Sequence, residues 1–242
     1  MTDIDIEKLF EDDTPKPNVQ NAPLMPQHPF RMLVNGGSGC GKTTIVFKAL
    51  LNGDLKFDKL YIYARDIYEH KYSVLIKHYC NVASALGIDP GELIMVGNSP
   101  QDIVSVDSLD PTKVHLLLFD DWIADKKTMD TIISEHWIRG RKKNASYVFM
   151  SQSYVDVPKK IRLNCDYFAL FKVPTATAMR HLTSELKGDL EYDEFKRIFH
   201  EATKKKHDWI LVDKKTEVDE LKFRIGFDRP LKKRLEFESD DE

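Results

Sequence analysis

The segment from Gly36 to Thr43, Gly-Gly-Ser-Gly-Cys-Gly-Lys-Thr, constrains the fold of this 242-residue chain more than any other feature. It fits the pattern G-x-x-x-x-G-K-[ST] without a mismatch, and it lies between an apolar run (30–34) and a helix-like stretch (44–51). In that context the glycines let backbone N–H groups surround phosphate oxygens, and the helix adds its positive N-terminal end. The alternative is a glycine-rich turn that matches by chance, and the strand–loop–helix context argues against it. The sequence therefore predicts a site for a nucleoside triphosphate.

Individual roles within this phosphate loop follow from the chemistry of the side chains. Lys42 is expected to contact the β- and γ-phosphates, and the Thr43 hydroxyl to coordinate Mg²⁺. The predicted cofactors are therefore ATP and Mg²⁺. The remaining residues expected to surround the nucleotide phosphates are Gly36, Gly37, Ser38, Gly39, Cys40, Gly41 and Thr44.

Composition narrows the other classes of function. Hydrophobic residues make up 42% of the chain, which is ordinary for a globular domain with a sizeable core. A net charge of −3 gives no general nucleic-acid signature, so contacts with nucleic acid would need local basic segments.

Cys40, Cys80 and Cys165 are too few and too widely spaced for a disulfide framework or a zinc site, which favours an intracellular setting. No apolar run is long enough for a membrane span and the N-terminus is acidic, so we expect a soluble protein without a signal peptide.

The pattern of residues predicts a flexible, extended arm that is acidic and proline-rich (1–29), a P-loop ATPase domain (30–228, with its core at 30–175 and a C-terminal addition at 176–228) and a charged tail (229–242). Short apolar strands alternate with helical stretches, which predicts an α/β fold with a mostly parallel sheet and helices on both faces. The predicted strands are 30–35, 59–65, 92–96, 114–120, 146–151, 166–172 and 208–212. The predicted helical stretches are 42–52, 68–86, 125–139 and 176–202.

A second part of the predicted site is the buried-strand pattern 114–119, which is followed by Asp120 and Asp121. An acid at the end of a strand beside the phosphate loop holds the Mg²⁺ shell, and we assign this role to Asp120. Asp121 is the candidate general base for the attacking water. The alternative is that the two acids form the N-cap of a following helix, but the upstream phosphate loop favours catalysis. A strand intervenes between the phosphate-loop helix and the acids, which is typical of the additional-strand class of NTPases.

Gln152 and the basic run 139–143 each have a structural interpretation as well as a catalytic one. Gln152 follows a strand at the edge where ligand sites of parallel sheets gather, so it is either a γ-phosphate sensor or the start of a loop. The basic run 139–143 is typical of a solvated helix C-terminus, where the helix dipole favours cations. In a ring ATPase, Arg139 or Arg141 would instead reach across a subunit boundary and neutralise the transferring γ-phosphoryl group. The basic segments 139–143, 159–162 and 204–206 are candidates for contacts with DNA phosphates, and the segment 159–162 could instead face a neighbouring subunit.

The order of these segments resembles the viral genome-packaging ATPases of the FtsK–HerA superfamily, the enzymes of large double-stranded DNA viruses, virophages and related mobile elements. The resemblance covers roughly residues 28–175 and rests on the phosphate loop, Phe119-Asp120-Asp121, Arg139-Gly140-Arg141, Ser151-Gln152 and Ile161-Arg162-Leu163-Asn164.

The resemblance implies a RecA-like core that works as a homo-oligomeric ring and pumps duplex DNA into a preformed capsid. It implies Lys42 and Thr43 as phosphate and Mg²⁺ contacts, Asp120 as the metal-site acid, Gln152 as the sensor and Arg139 or Arg141 as the arginine finger. One departure is Asp121, because many members of the superfamily have glutamate there.

The expected function is therefore an ATP-driven translocase that packages viral double-stranded DNA without sequence specificity. Expected partners are DNA, further copies of the chain and a capsid or portal-vertex protein, in the host cytoplasm, in a viral factory or in the virion. A small-molecule or nucleoside kinase is the alternative enzyme, although an arginine-rich lid and an acceptor pocket are not evident. The D-x-x-G and N-K-x-D motifs of signalling GTPases are missing. A nucleotide-binding assembly factor without turnover is a third possibility, which the intact set of catalytic residues argues against.

Overall fold

A mixed β-sheet forms the centre of the computed structural model, which describes residues 19–231 of the chain. The strands are β1 (Arg31–Asn35), β2 (Lys59–Ala64), β3 (Ile94–Gly97), β4 (His115–Asp120), β5 (Ala145–Ser151), β6 (Tyr167–Phe171), β7 (Trp209–Asp213), β8 (Phe223–Ile225) and β9 (Arg229–Pro230). They lie in the spatial order β3-β2-β4-β5-β1-β6-β7-β8-β9. Strands β1 to β6 run parallel, whereas β7, β8 and β9 are each antiparallel to the strand before them. The predicted mostly parallel sheet is confirmed.

Helices connect most of the parallel strands. They are α1 (Lys42–Leu51), α2 (His70–Leu86), α3 (Pro90–Leu93), α4 (Lys126–Thr128), α5 (Ser134–Arg139), α6 (Lys159–Leu163), α7 (Ala176–Leu186) and α8 (Tyr192–Ala202). A π-helical turn (Met129–Ile133) joins α4 to α5. None of the helices in the described part of the chain is long and apolar enough to cross a membrane.

The predicted elements are present, with ends within a few residues of those expected. The stretch 176–202 is two helices instead of one, and Gly188 lies between them with a φ of +60°. Helices α3 and α6 and strands β8 and β9 are absent from the sequence prediction, which placed a strand at 92–96 where α3 ends. They span between two and five residues, which is too short for a hydrophobic period to show.

Strand β5 lies between the phosphate-loop strand β1 and the acidic strand β4. The register aligns Leu33 of β1 with Phe149 of β5, and Phe149 with Phe119 of β4. One additional strand therefore separates the phosphate loop from the acids. This order confirms the additional-strand class expected from the sequence.

Both faces of the sheet carry an apolar core, because side chains of successive strand residues point to opposite faces. On one face, Leu33 and Phe149 pack with Trp137 of α5. On the other face, Val34 and Val148 pack with side chains of α1 and α2. Each large apolar side chain that is fully buried contributes roughly 1.5–3 kcal/mol. The fold therefore depends on the two cores, and the polar groups at the ends of the strands are available for other roles.

The described part of the predicted arm packs against the domain. The Ala22 N–H donates to the Asp54 carbonyl at 2.9 Å, the Lys56 N–H donates to Asn21 Oδ1 at 2.7 Å, and Met25 lies in the core. An extended arm that reaches residue 29 does not agree with these contacts, since the apolar Met25 gains from burial. Residues 1–18 and 232–242 lie outside the described residues, and the predicted domain limits stay predictions.

Candidate nucleotide-binding site

The phosphate loop turns from the end of β1 into α1, as its sequence predicts. Gly39 and Gly41 have φ angles of +67° and +111°, which residues with a Cβ atom rarely adopt. A Cβ on Gly36 would lie 2.6 Å from the Phe171 Cβ, so the loop passes too close to β6 for any other residue. The Lys42 Nζ donates to the carbonyls of Gly36 and Gly37 at 2.6 and 3.0 Å. These bonds hold the ammonium group over the loop, where it can contact bound phosphates.

Asp120 lies beside Thr43, at the carboxyl end of β4. The Thr43 hydroxyl donates to Asp120 Oδ2 at 3.2 Å, and the Tyr72 hydroxyl of α2 donates to the same oxygen. Burial raises the pKa of Asp120, and the hydrogen bonds from Tyr72 and Thr43 and the charges of Lys71 and Lys42 oppose this shift. A cation bound here would offset the cost of burying the carboxylate.

The donors around Asp120 fit Mg²⁺. A carboxylate and a hydroxyl are oxygen ligands, which Mg²⁺ prefers over nitrogen or sulfur. Among residues 19–231, no cluster of three or more His, Cys, Asp or Glu side chains is placed to bind a metal. Mg²⁺ usually takes only one or two protein carboxylates and completes its shell with water and substrate phosphates.

Asp121 turns away from β4 with a φ of +59°, and its N–H donates to the Met150 carbonyl at 3.3 Å. Its exposed side chain lines the same pocket as Gln152. The alternative that the two acids cap a helix is wrong, because Asp125 caps α4 by accepting from the Thr128 N–H at 3.0 Å. Asp121 is thus free of a capping role and is open to water.

One pocket of about 520 Å³ brings the predicted residues together. Lys42, Thr43, Asp120, Asp121 and Gln152 all line it. The motifs do not indicate the other lining residues, which are Ile45, Ala64, Arg65, Asp66, Glu69, Lys71, Tyr72, Phe171 and His207. Most of these follow strand β2, whose carboxyl end adjoins that of β4, and this adjacency depends on the strand order in the sheet.

The basic residues are distributed differently from the acids. Arg139 is the last residue of α5, and Arg141 lies between α5 and the amino end of β5, at the edge of the sheet opposite the phosphate loop. Arg139 pairs with the carboxylates of Glu135 and Asp107, whereas Arg141 is exposed and makes no ion pair with the described residues. Neither arginine lines the nucleotide pocket of its own subunit. Their role across a subunit boundary stays a prediction.

Arg162 is buried and has a structural role. Its Nη2 pairs with Glu185 Oε1 at 2.8 Å, and its Nη1 donates to the Val157 carbonyl at 2.8 Å. The expectation that Arg162 faces DNA is therefore wrong. Lys159 and Lys160 of the same segment are exposed.

The sequence profile of the family described as Poxvirus A32 protein matches residues 20–226. The chain belongs to this family. Among the relatives, the DNA packaging protein OPG160 of monkeypox virus is 27% identical over 157 residues, which cover 64% of this chain and 52% of that protein. The protein of the same name from vaccinia virus (strain Copenhagen) is also 27% identical over 157 residues, which cover 64% of this chain and 58% of that protein. The chain thus spans little more than half the length of these relatives.

Solved structures support the fold. The genome packaging NTPase B204 from Sulfolobus turreted icosahedral virus 2 in complex with AMP has a TM-score of 0.57 and 12% identity, and the match covers 84% of this chain and 98% of that chain. The same NTPase in complex with AMPPCP has a TM-score of 0.56 and 13% identity over the same shares of the two chains. At this identity the match shows a shared fold. With the family match, it confirms the resemblance to viral genome-packaging proteins that the motifs indicate.

Proposed function

We propose that this chain is an ATPase that couples ATP hydrolysis to the packaging of viral double-stranded DNA into a preformed capsid. The observation that carries the proposal is the convergence of Lys42, Thr43, Asp120 and Asp121 on one pocket. The name of the relatives, DNA packaging protein, indicates the process that hydrolysis would drive.

The chemistry follows from the positions of these side chains. From its place over the loop, Lys42 is positioned to contact the β- and γ-phosphates, and Thr43 and Asp120 would hold Mg²⁺. The metal would supply positive charge that neutralises the phosphates. Asp121 accepts the proton of the attacking water, and Gln152, which lies on the same side of the pocket, orients that water or senses the γ-phosphate. Asp121 suits a base because its side chain is exposed to water.

DNA is bound through exposed lysines and arginines that contact phosphates without reading bases. The exposed candidates are Arg141, Lys142, Lys159, Lys160, Lys204, Lys205 and Lys206. Since the chain has a net charge of −3, these local segments carry the attraction to DNA. The affinity then falls steeply with salt and changes little with base sequence.

The active assembly is a ring of identical subunits, with a capsid or portal-vertex protein as its docking partner at the site of virion assembly. Arg141 is the better candidate for the arginine finger, because Arg139 is already paired with two carboxylates. The test mixes inactive Arg141→Ala subunits with inactive Lys42→Ala subunits, which retain Arg141. Partial recovery of hydrolysis supports the finger, and no recovery contradicts it.

The experiment that tests the function is ATP hydrolysis by the purified protein with and without long duplex DNA. We expect magnesium-dependent hydrolysis that DNA stimulates and that Lys42→Ala abolishes. Transfer of phosphate to a small acceptor without a DNA effect would indicate a kinase instead. Binding of ATP without any turnover would indicate an assembly factor.

A further inference from the structure

The two sides of the nucleotide pocket differ in chemistry. Asp120, Asp121 and Gln152 follow β4 and β5 on one side of the phosphate loop, whereas Phe171 and His207 line the other side, at β6 and β7. Because the γ-phosphate faces the acids that activate water and hold the metal, the nucleoside end of the nucleotide extends to the opposite side. It therefore extends toward the C-terminal part of the chain, for which the sequence motifs indicate no role.

The antiparallel strands place a second set of residues at this edge. Trp209, the first residue of β7, pairs with Phe171, the last residue of β6, and β8 ends beside Ile210. His207 has a φ of +71°, and its Nδ1 lies 2.8 Å from the Cys40 carbonyl of the phosphate loop. The loop before β7 is thus in direct contact with the phosphate loop.

A smaller pocket of about 390 Å³ adjoins the nucleotide pocket on this side, and Ile45 of α1 lines both. We call it the side pocket, and Trp209, Phe227 and Asp228 line it together with Ile45. The rings of Trp209 and Phe227 meet edge to face, with centroids 4.8 Å apart and an interplanar angle of 77°. Its volume lies within the range of roughly 300–1,000 Å³ that is usual for sites of small ligands.

We propose that the side pocket binds the adenine base of ATP, a proposal that rests on the nucleotide site of the proposed function. Apolar and aromatic side chains with a few polar groups are the usual environment of a bound heterocycle. Ile45 and the two aromatic rings supply the apolar surface, and the Asp228 carboxylate accepts a hydrogen bond from the exocyclic amino group. Ile45 lines both pockets, so a base in the side pocket is continuous with phosphates at the loop.

Inorganic tripolyphosphate is the probe that separates the two parts of the site, because it has the phosphates of ATP and no nucleoside. We expect isothermal titration calorimetry with Mg²⁺ to show that the wild-type protein binds ATP at least tenfold more tightly than tripolyphosphate. Phe227→Ala removes most of this difference and leaves tripolyphosphate binding unchanged. Phe57→Ala is the matched control. Phe57 is also half-buried, but it precedes β2, which lies on the other side of β1 from β6 and β7. Phe57→Ala leaves the binding of both ligands unchanged.

A second variant keeps the test independent of the folding of Phe227→Ala. Asp228 is exposed, so Asp228→Ala leaves the fold intact, and it weakens ATP binding more than UTP binding because uracil has no amino group to donate. Equal affinity of the wild-type protein for ATP and tripolyphosphate would overturn the proposal. The proposal would also be overturned if Phe227→Ala weakened the binding of both ligands equally, or weakened the binding of neither. Tight ATP binding that requires Phe227 but leads to no hydrolysis would refute the proposed function while the base site stands.

Discussion

The two edges of the central sheet, at the amino ends and at the carboxyl ends of the parallel strands, differ in how their buried charges are balanced. At the amino ends of the parallel strands, Arg31 pairs with Asp166 at 3.2 Å. At the carboxyl ends, the Lys42 ammonium contacts carbonyl oxygens and Asp120 accepts from two hydroxyl groups, and neither charge has an ion-pair partner among the described residues. Each of these two side chains is only 9% exposed.

This difference between paired and unpaired buried charges indicates which edge of the sheet needs a ligand. A buried charge without an opposite charge is costly, and a buried ion pair is compensated within the protein itself. The charges of the Arg31–Asp166 pair at the amino edge are therefore balanced within the protein. The carboxyl edge carries one buried cation and one buried anion, each of which would gain a partner if nucleotide phosphates and a metal bound there. The predictions below test this contrast between the two edges.

The largest expected effect is that of Lys42→Ala. It should nearly abolish ATP hydrolysis because the ammonium neutralises phosphate charge, and it should leave the fold intact because Lys42 contributes no apolar side chain to the core clusters. Steady-state hydrolysis and circular dichroism measure the two properties. Retention of more than about a tenth of the wild-type rate would show that this loop is not the site of phosphoryl transfer.

Asp121→Asn should slow hydrolysis on the order of 10²- to 10⁴-fold while nucleotide binding is kept, because asparagine cannot accept a proton from water. Asp120→Asn should instead raise the Mg²⁺ concentration that hydrolysis requires. Initial rates across a Mg²⁺ titration distinguish the two acids. A normal rate for Asp121→Asn would place the general base elsewhere.

Arg31→Met tests the amino edge. It removes one partner of a buried pair in which Arg31 and Asp166 are 11% and 13% exposed, so the free energy of unfolding should fall by about 3–5 kcal/mol. Urea unfolding measures the change. The carboxyl-edge variant Lys42→Ala is the control, and we expect it to lose far less stability. Equal losses in the two variants would contradict the contrast between the edges.

The smallest expected effect is that of Tyr72→Phe, which removes the hydroxyl that donates to Asp120. The Tyr72 hydrogen bond lowers the pKa of Asp120, so without it the carboxyl group binds a proton more readily, and the Mg²⁺ concentration that hydrolysis requires should rise. Tyr79→Phe is the matched control, since Tyr79 is a buried tyrosine of the same helix whose hydroxyl donates to the Leu50 carbonyl at 3.0 Å.

Binding of a fluorescent ATP analogue with Mg²⁺ and with EDTA supplies a second measurement for the tyrosine pair. Tyr72→Phe should weaken binding with Mg²⁺ and leave binding in EDTA unchanged. Equal responses of the Tyr72→Phe and Tyr79→Phe proteins would show that the Tyr72 hydroxyl contributes only to general stability.

Local patterns were sufficient for much of the fold and for the centre of the site. The phosphate loop is one continuous segment whose glycines and lysine act through their own backbone and neighbours, so its motif predicts its geometry. Asp120 and Asp121 follow a strand of apolar residues, and the carboxyl ends of parallel strands share one edge. The location of Lys42, Thr43, Asp120, Asp121 and Gln152 in one pocket was predictable for that reason.

Contacts between distant segments were decided only by the tertiary structure. Tyr72 meets Asp120 across 48 positions of the chain, and His207 meets Cys40 across 167. In the amino-acid sequence the segment 159–162 is one basic cluster. In the structure, packing buries Arg162 against Glu185 and leaves Lys159 exposed. By itself the amino-acid sequence determined most of the elements and the chemistry of the loops that carry the motifs. Which strands became neighbours, and therefore which side chains complete the site, depended on how the two apolar faces of the sheet packed against the helices.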